Sequence, residues 1–199
     1  MKKDNWLYLI GGVLLGALIG YGISDFMGRG PTGEPAAPPV HEQRKPGPQG
    51  AAPAPGPSPE EVANLERVIQ ADPKNVTALT HLGNLMYDTG RWAEALGYYR
   101  RALDAGPPNP NVLTDTGICY RQLRQFEQAL EYFRRAQELD PSHWQSLFNT
   151  AVVAGFDLGR FDDADVALGK LEKINPSAPG LARLRQDLAQ AKAARGSAS

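Results

Sequence analysis

Hydrophobic and polar residues are distributed differently in three successive parts of the chain. The first part is an apolar run over residues 6–27 whose only charged residue is Asp25. The second part, from Pro31 to Pro59, contains ten prolines among its 29 residues and few large apolar side chains. The third part, from residue 60 to about residue 195, has apolar residues at the spacing of amphipathic helices and no β-rich run. This pattern predicts an all-helical protein whose folded part lies towards the C-terminus.

The apolar run predicts a transmembrane anchor over residues 1–28. A helix of 22 residues would be about 33 Å long, enough for the roughly 30 Å hydrocarbon core of a bilayer. The alternative, a cleaved signal peptide, is less favoured because the run exceeds the usual apolar length of about 7–15 residues and no small-residue cleavage site follows it. Basic residues flank the run almost equally, with Lys2 and Lys3 before it and Arg29, Arg44 and Lys45 after it; the two lysines adjoin the run and therefore favour a cytoplasmic N-terminus. We therefore expect a single-pass protein of the inner (cytoplasmic) membrane whose C-terminal domain is extracytoplasmic.

Glycine recurs every fourth residue within the predicted anchor, at Gly12, Gly16 and Gly20. Small residues on one helix face allow close contact between membrane helices, so these glycines predict a helix contact and a homo-oligomer. The alternative is that glycine is simply common in membrane spans.

The stretch that follows, residues 29–58, is predicted to be a disordered linker rich in Pro, Ala and Gly, because proline lacks an amide donor and the apolar content is too small for a core. We prefer a spacer role for it over a docking motif based on its PxxP spacings.

A repeat of 34 residues dominates the third part of the chain. At this offset Leu79 corresponds to Leu113 and Trp92 to Phe126. The same offset relates the remaining structural positions of the repeat, which are Gly83 and Gly117, Ala95 and Ala129, Tyr99 and Phe133, Ala102 and Ala136, and Pro107 and Pro141. This pattern resembles the tetratricopeptide repeat (TPR), and the order of anchor, linker and repeats resembles that of membrane-anchored bacterial envelope TPR proteins. The resemblance implies a right-handed α-solenoid in which each repeat is a pair of antiparallel helices.

The predicted TPR domain covers residues 59–195, with repeats at about 76–109, 110–143 and 144–177. The third repeat is irregular, because its second half runs one residue late. We therefore expect one extra residue in the turn between its two helices, around residues 155–158. Flanking helices are predicted over residues 59–71 and 179–194, the latter as the capping helix that such arrays need.

The composition argues against several classes of function. The formal net charge of −1 gives no basic surface for nucleic acid, and the single cysteine, Cys119, excludes a disulfide framework. No nucleophile, Walker-type or zinc motif is present, so we expect no catalytic residues, no metal, no cofactor and no enzymatic activity. The acidic group at residues 162–165 is better explained as a helix start than as a cation site. Cys119 is better explained as a small buried filler than as a reactive thiol.

The resemblance implies that the first helices of the repeats line a concave groove for a protein or peptide partner. Transferred position by position, the peptide-binding residues are Thr80, Asn84, Tyr87 and Asp88 of the first repeat, Thr114, Ile118, Arg121 and Gln122 of the second, and Phe148 and Val152 of the third. The carboxylate clamp of chaperone adaptors is missing, since Thr80, Gln145 and Asn149 stand where that clamp has basic residues. The alternative is a solvated face with no dedicated ligand.

These inferences favour a membrane-tethered scaffold or adaptor that holds a protein or peptide partner during assembly, maturation or secretion at the cell envelope. One alternative is the apocytochrome-binding component of c-type cytochrome maturation, which no motif in the chain identifies. A second alternative is an accessory or regulatory subunit that a membrane complex recruits through the transmembrane helix.

Overall fold

The computed structural model describes residue 56 and residues 58–196. In this part of the chain all regular secondary structure is helical. None of its helices has both the length and the apolar character needed to cross a bilayer. The predicted anchor with Gly12, Gly16 and Gly20, and nearly all of the predicted linker, lie outside the described residues.

Eight α-helices and one π-helical turn follow each other along the described chain. The helices are α1 (Pro59–Ala71), α2 (Val76–Asp88), α3 (Trp92–Ala105), α4 (Pro110–Gln122), α5 (Phe126–Leu139), α6 (Trp144–Val152), α7 (Phe161–Ile174) and α8 (Leu181–Gly196). The π-helical turn, Val153–Asp157, directly continues α6. Successive helices pack against one another in chain order, most extensively within the hairpins α2–α3, α4–α5 and α6–α7. This arrangement is an all-helical array of stacked helix hairpins, as the resemblance to the TPR implies.

Each of the first two hairpins is closed by a glycine that faces an aromatic ring. A Cβ atom built on Gly83 would lie 2.6 Å from Cδ1 of Tyr99, and one built on Gly117 would lie 2.7 Å from Cδ1 of Phe133. Both rings are fully buried. Because glycine has no side chain, the ring of Tyr99 fits between α2 and α3, and the ring of Phe133 fits between α4 and α5. The other structural positions are arranged around these contacts: Ala95, Ala102, Ala129 and Ala136 are buried, whereas Pro107 and Pro141 are exposed in the loops that follow α3 and α5.

The turns between the two helices of each repeat contain one residue in the left-handed region. These residues are Gly90 with φ +73°, Arg124 with φ +59° and Gly159 with φ +67°. Gly90 and Arg124 are related by the 34-residue period. The left-handed conformation ends a helix at little cost for glycine but is strained for residues with a Cβ atom. The turn of the second repeat therefore has the same left-handed conformation as the other two turns, although Arg124 adopts it less readily than glycine does.

The extra residue of the third repeat lies close to the predicted position, residues 155–158, but in a different element. We expected it in the turn between the helices, but the chain absorbs it inside the first helix, as the π-helical turn. This turn packs against α5, α7 and α8. A π-turn accommodates one additional residue without breaking the helix, so α7 can still pair with α6 after the phase of the repeat has shifted.

The C-terminal helix α8 covers the open side of the third repeat. Leu181, Leu184 and Leu188 are buried in the same core cluster as Leu171 of α7. Lys192 of α8 also forms exposed ion pairs with carboxylates of α7. The helix therefore caps the array by burying apolar surface that would otherwise face solvent.

Candidate functional site

The candidate site is the part of the surface of α2, α4 and α6, with its π-helical turn, that carries the predicted groove residues. We call it the first-helix face, and we call α3, α5 and α7 the second helices. The predicted groove residues differ in how much surface they contribute to this face. Asp88 and Gln122 are exposed, Asn84, Tyr87, Ile118, Arg121 and Phe148 are partly buried, and Thr80, Thr114 and Val152 are buried.

The buried members of this set serve the packing of the array and offer little surface to a partner. Thr114 is 4% exposed, and its hydroxyl donates a hydrogen bond to the Pro110 carbonyl at 2.8 Å. Thr80 and Val152 are 6% and 7% exposed. These three side chains can contribute little new buried area on binding, and their predicted contact with a peptide stays a prediction.

Three large side chains remain partly accessible on the first-helix face. Tyr87 packs edge-on against Trp92 with ring centroids 5.1 Å apart, and Phe148 packs edge-on against Trp144 at 6.4 Å. Ile118 lies against the core cluster that contains Phe133. Each of these side chains packs against neighbouring protein atoms and keeps part of its surface accessible to solvent. Rigid, partly buried apolar side chains of this kind are the usual anchors of protein interfaces.

Asn84 of α2 is fixed by a hydrogen bond from the second helix of its own repeat. The Tyr99 hydroxyl donates a hydrogen bond to Asn84 Oδ1 at 2.8 Å. Because Tyr99 is itself fully buried between α2 and α3, this bond fixes the orientation of the amide. The amide group also carries two N–H donors, which are suited to binding a peptide carbonyl.

Arg121 forms an ion pair with Asp157, a partner that the sequence did not indicate. Its Nε donates to Asp157 Oδ2 at 2.5 Å, and the two side chains are only 19% and 21% exposed. Asp157 ends the π-helical turn, so the ion pair joins α4 to the end of the first helix of the next repeat. Arg121 was predicted to bind a peptide backbone or carboxylate. In the structure its Nε joins two repeats through Asp157.

The junction between the second and third repeats contains a buried imidazole. His143 precedes α6 and is 7% exposed. Its Nε2 lies 3.0 Å from Asn111 Oδ1, and its Nδ1 lies 3.5 Å from Thr114 Oγ1, both in the first turns of α4. Burial lowers the pKa of His143 below its usual value, and the nearby Asp140 opposes this shift. The imidazole therefore belongs to the packing between repeats.

We next consider metal ligands and nucleophiles among the described residues. No three His, Cys, Asp or Glu side chains within residues 58–196 come together in a way that could hold a metal ion. Cys119 is fully buried in α4, and this burial, with a smaller contribution from Asp115, raises the pKa of its thiol to about 12. A thiol with that pKa is a poor nucleophile at neutral pH.

Sequence reasoning missed two residues at the end of the first-helix face, Phe156 and Asp157. Phe156 is 43% exposed, and the 34-residue offset relates it to the groove residues Gln122 and Asp88, so the repeat alone could have indicated it. Asp157 carried no such signal, because it ends the turn that absorbs the extra residue and only the π-helical geometry brings it to Arg121.

Comparison with known proteins identifies the repeat. Two profiles described as tetratricopeptide repeat match the chain, one over residues 75–142 and the other over residues 115–179. No curated protein sequence matches the chain.

Several solved structures have a similar fold. A crystal structure of MamA has a TM-score of 0.62 and 22% identity, with 68% of this chain and 77% of MamA aligned. YrrB, described as a TPR protein with an unusual peptide-binding site, has a TM-score of 0.54 and 23% identity over 60% of this chain and 61% of YrrB. The TPR domain of Arabidopsis OM64 has a TM-score of 0.55 and 16% identity over 58% of this chain and 94% of that domain. With the two profiles together covering just over half of its residues, the chain belongs to the tetratricopeptide repeat family.

Proposed function

We propose that this protein is a membrane-tethered, non-enzymatic TPR scaffold that binds a protein or peptide partner on its first-helix face. TPR domains generally serve protein–protein interaction, and the first helices of their repeats line the concave side of the solenoid. The observation that carries the proposal is the set of partly accessible anchors, Tyr87, Ile118 and Phe148, next to the fixed amide of Asn84. The peptide-binding site for which YrrB is described supports a similar use of this fold.

The second helices offer a less continuous binding surface. Their repeat positions Ala95, Tyr99, Ala129 and Phe133 are fully buried in the hairpins. They also expose single large apolar side chains, which are Leu139 on α5 and Val166 and Ile174 on α7. Scattered apolar residues are normal on a protein surface, but Val166 and Ile174 lie eight residues apart on one face of α7. An experiment on the binding site should therefore test α7 as well.

The tether is proposed from the sequence. An apolar run of 22 residues followed by a proline-rich stretch is typical of an anchored domain that is displayed at a distance from the membrane. Such a protein would hold its partner near the bilayer during assembly, maturation or secretion at the cell envelope.

Site-specific photo-cross-linking in membranes tests where the partner binds. A photoreactive residue replaces Gln122 on the first-helix face, Gln128 on α5 or Lys170 on α7, all of which are exposed. Gln122 and Gln128 are matched in residue type and differ in the helix that carries them. We expect a discrete cross-linked partner from position 122 and none from position 128. Cross-links from position 170 alone would move the binding surface to α7, and cross-links from none of the three positions would contradict the scaffold proposal.

A further inference from the structure

Helix α1 has the features of the second helix of a repeat, but no first helix is paired with it. The 34-residue period relates Leu65 to Tyr99 and Val68 to Ala102, both on α3. Within the described residues no helix precedes α1, which begins at Pro59. The described array therefore begins with half a repeat.

One side of α1 is covered by the repeat that follows. Ile69 is 8% exposed, and Val62 and Leu65 pack against the same core cluster, which also contains residues of α2 and α3. Val68 lies at the edge of this contact and remains 43% exposed. Asn64, one turn before Val68, is exposed as well. We call Asn64, Leu65 and Val68 the open stripe of α1.

The apolar positions of this stripe are enclosed in the complete repeats. The rings at the Leu65 position, Tyr99 and Phe133, are fully buried against glycines of their own first helices. The residues at the Val68 position are Ala102, Ala136 and, after the one-residue shift of the third repeat, Leu171, with exposures of 2%, 0% and 0%. A first helix packed alongside is therefore what the open stripe lacks.

The opposite end of the array is closed in a different way. α8 turns its three buried leucines towards the third repeat, and its exposed positions include Arg183, Arg185 and Gln186. A polar outer face is what the terminal helix of a repeat array needs in order to face water. Of the two ends of the described array, the N-terminal one leaves a valine exposed at a position that the repeat otherwise buries.

A helix that covers the open stripe has to come from outside the linker that precedes α1. Ten prolines among residues 31–59 prevent that stretch from supplying a helix, because proline lacks the amide donor and clashes with the preceding turn. A second copy of the chain supplies a helix that needs the same cover, its own α1. Two-fold pairing covers both stripes at once, and two-fold dimers are the commonest homo-oligomers.

We propose that α1 of one copy packs antiparallel against α1 of a second copy, so that the N-terminal ends of two arrays meet at Val68. A two-fold axis perpendicular to the helices near Val68 places the two Glu61 residues about 10 Å to either side of it. Each Glu61 has its Oε1 3.2 Å from Nε2 of His81 in its own chain, so the two carboxylates do not face each other.

The proposed anchor favours this contact. A pair of 13-residue helices is a small interface, well below the size of a typical stable complex. In the proposed anchored arrangement both copies lie in one membrane, and the tether leads directly into α1. This arrangement raises the effective concentration of the two helices.

Cysteine cross-linking of the full-length chain in membranes tests the proposal. The single natural cysteine, Cys119, is fully buried, so an introduced cysteine is the accessible thiol. Asn64→Cys and Val68→Cys place this thiol on the open stripe, whereas Ala63→Cys and Gln70→Cys place it on the opposite side of α1, and all four positions are exposed. We expect a short bismaleimide to link two copies through positions 64 and 68 at a yield several-fold higher than through positions 63 and 70. Copies held together by their anchors alone would react equally at all four positions.

Two matched variants show whether Val68 itself makes the contact. Val68→Glu and Val166→Glu, each combined with Asn64→Cys, add the same charge at an exposed valine, the first on α1 and the second on α7. Near a two-fold axis Val68→Glu brings two like charges together, so we expect it to abolish most of the cross-linked dimer. We expect Val166→Glu to leave the yield nearly unchanged, and equal yields in the two variants would overturn the proposal.

The other possible occupants of the open stripe give different results in the same experiment. Equal dimer yields at positions 63, 64, 68 and 70, or no dimer in a protein that still melts cooperatively, would overturn the proposal. A cross-link from positions 64 and 68 to a different protein would assign the stripe to that protein. A thiol at position 68 that a monofunctional maleimide cannot reach in a monomeric chain would assign it to a segment of the same chain. Either of these last two results would overturn the pairing of two copies.

Discussion

At positions 83 and 117 the chain has glycine because an aromatic ring occupies the space that a side chain would need. We predict that Gly83→Ala and Gly117→Ala each lower the free energy of unfolding by about 1–3 kcal/mol, since the new Cβ atom would overlap the ring of Tyr99 or Phe133. Urea denaturation of the full-length chain in detergent measures the loss.

Gly97 provides the matched control for this prediction. It lies inside α3, is exposed, and a Cβ atom built on it would meet no atom within 4 Å. Gly97→Ala should therefore raise the free energy of unfolding by about 0.5–1 kcal/mol through helix propensity alone. If alanine at positions 83 and 117 were as harmless as at position 97, the proposed packing of both hairpins would be incorrect.

The buried imidazole of His143 makes stability depend on pH. Its pKa is lowered in the folded protein, so the unfolded chain takes up a proton at a higher pH than the folded one. The stabilisation is fully present above the ordinary histidine pKa of about 6.5 and is lost as the pH falls through the folded value. We predict that the melting temperature of the wild-type chain decreases between about pH 7 and pH 5, and that His143→Gln reduces this slope.

The exposed His81 allows a matched test of that slope. His81→Gln removes an imidazole that is about half exposed and that contacts Glu61 at 3.2 Å, and it leaves His143 in place. Thermal melts of the three proteins at several pH values then distinguish the two histidines. A slope that disappears in His81→Gln and persists in His143→Gln would contradict the role assigned to the buried ring.

At the scale of elements, the π-helical turn brings Asp157 to Arg121. We predict that Asp157→Ala lowers the free energy of unfolding by about 1.5–3 kcal/mol, because it leaves the Arg121 side chain, which is only 19% exposed, without its charged acceptor. Chemical denaturation of Asp157→Ala, Arg121→Ala and the double variant gives the coupling energy of the pair.

The ion pair of Arg160 with Glu127 is the matched control, because it also connects two repeats but is about half exposed. Glu127→Ala should cost less than about 1 kcal/mol, as expected for a pair at the surface. A coupling energy near zero between positions 121 and 157 would mean that this ion pair does not hold the two repeats together.

These elements also show how far the sequence could predict the structure. The 34-residue period predicted the hairpins, because each small or aromatic residue of the repeat fills a position that the packing of two helices imposes. The resemblance to the TPR, and not the period itself, implied that the groove residues lie on the first helices. It could not predict that Thr80 and Thr114 would be enclosed, since their burial depends on how neighbouring repeats pack. It could not predict the partner of Arg121 either, because one inserted residue changes the phase of the helix that carries Asp157.

At the scale of the whole molecule, the two ends of the array differ. The C-terminal end is closed by α8, whose buried leucines cover the third repeat. The N-terminal end is formed by α1, which corresponds to the second helix of a repeat and still exposes Val68. The chain that precedes α1 contains the predicted linker and anchor. In the proposed anchored arrangement, the side of the membrane on which the array lies would decide which partners it can meet, and the charges that flank the predicted anchor would set that side.

We predict that the full-length chain resists carbonate extraction and that its TPR domain lies outside the cytoplasm, because Lys2 and Lys3 hold the short N-terminal segment inside. Labelling with a membrane-impermeant maleimide on spheroplasts measures this orientation. The natural Cys119 is fully buried and its thiol pKa is raised to about 12, so the wild-type chain should remain unlabelled. Gln128→Cys places a thiol on the exposed side of α5 and should be labelled without lysis. Labelling of this variant only after lysis would show a cytoplasmic domain, and release of the chain by carbonate would show that residues 1–28 do not anchor it.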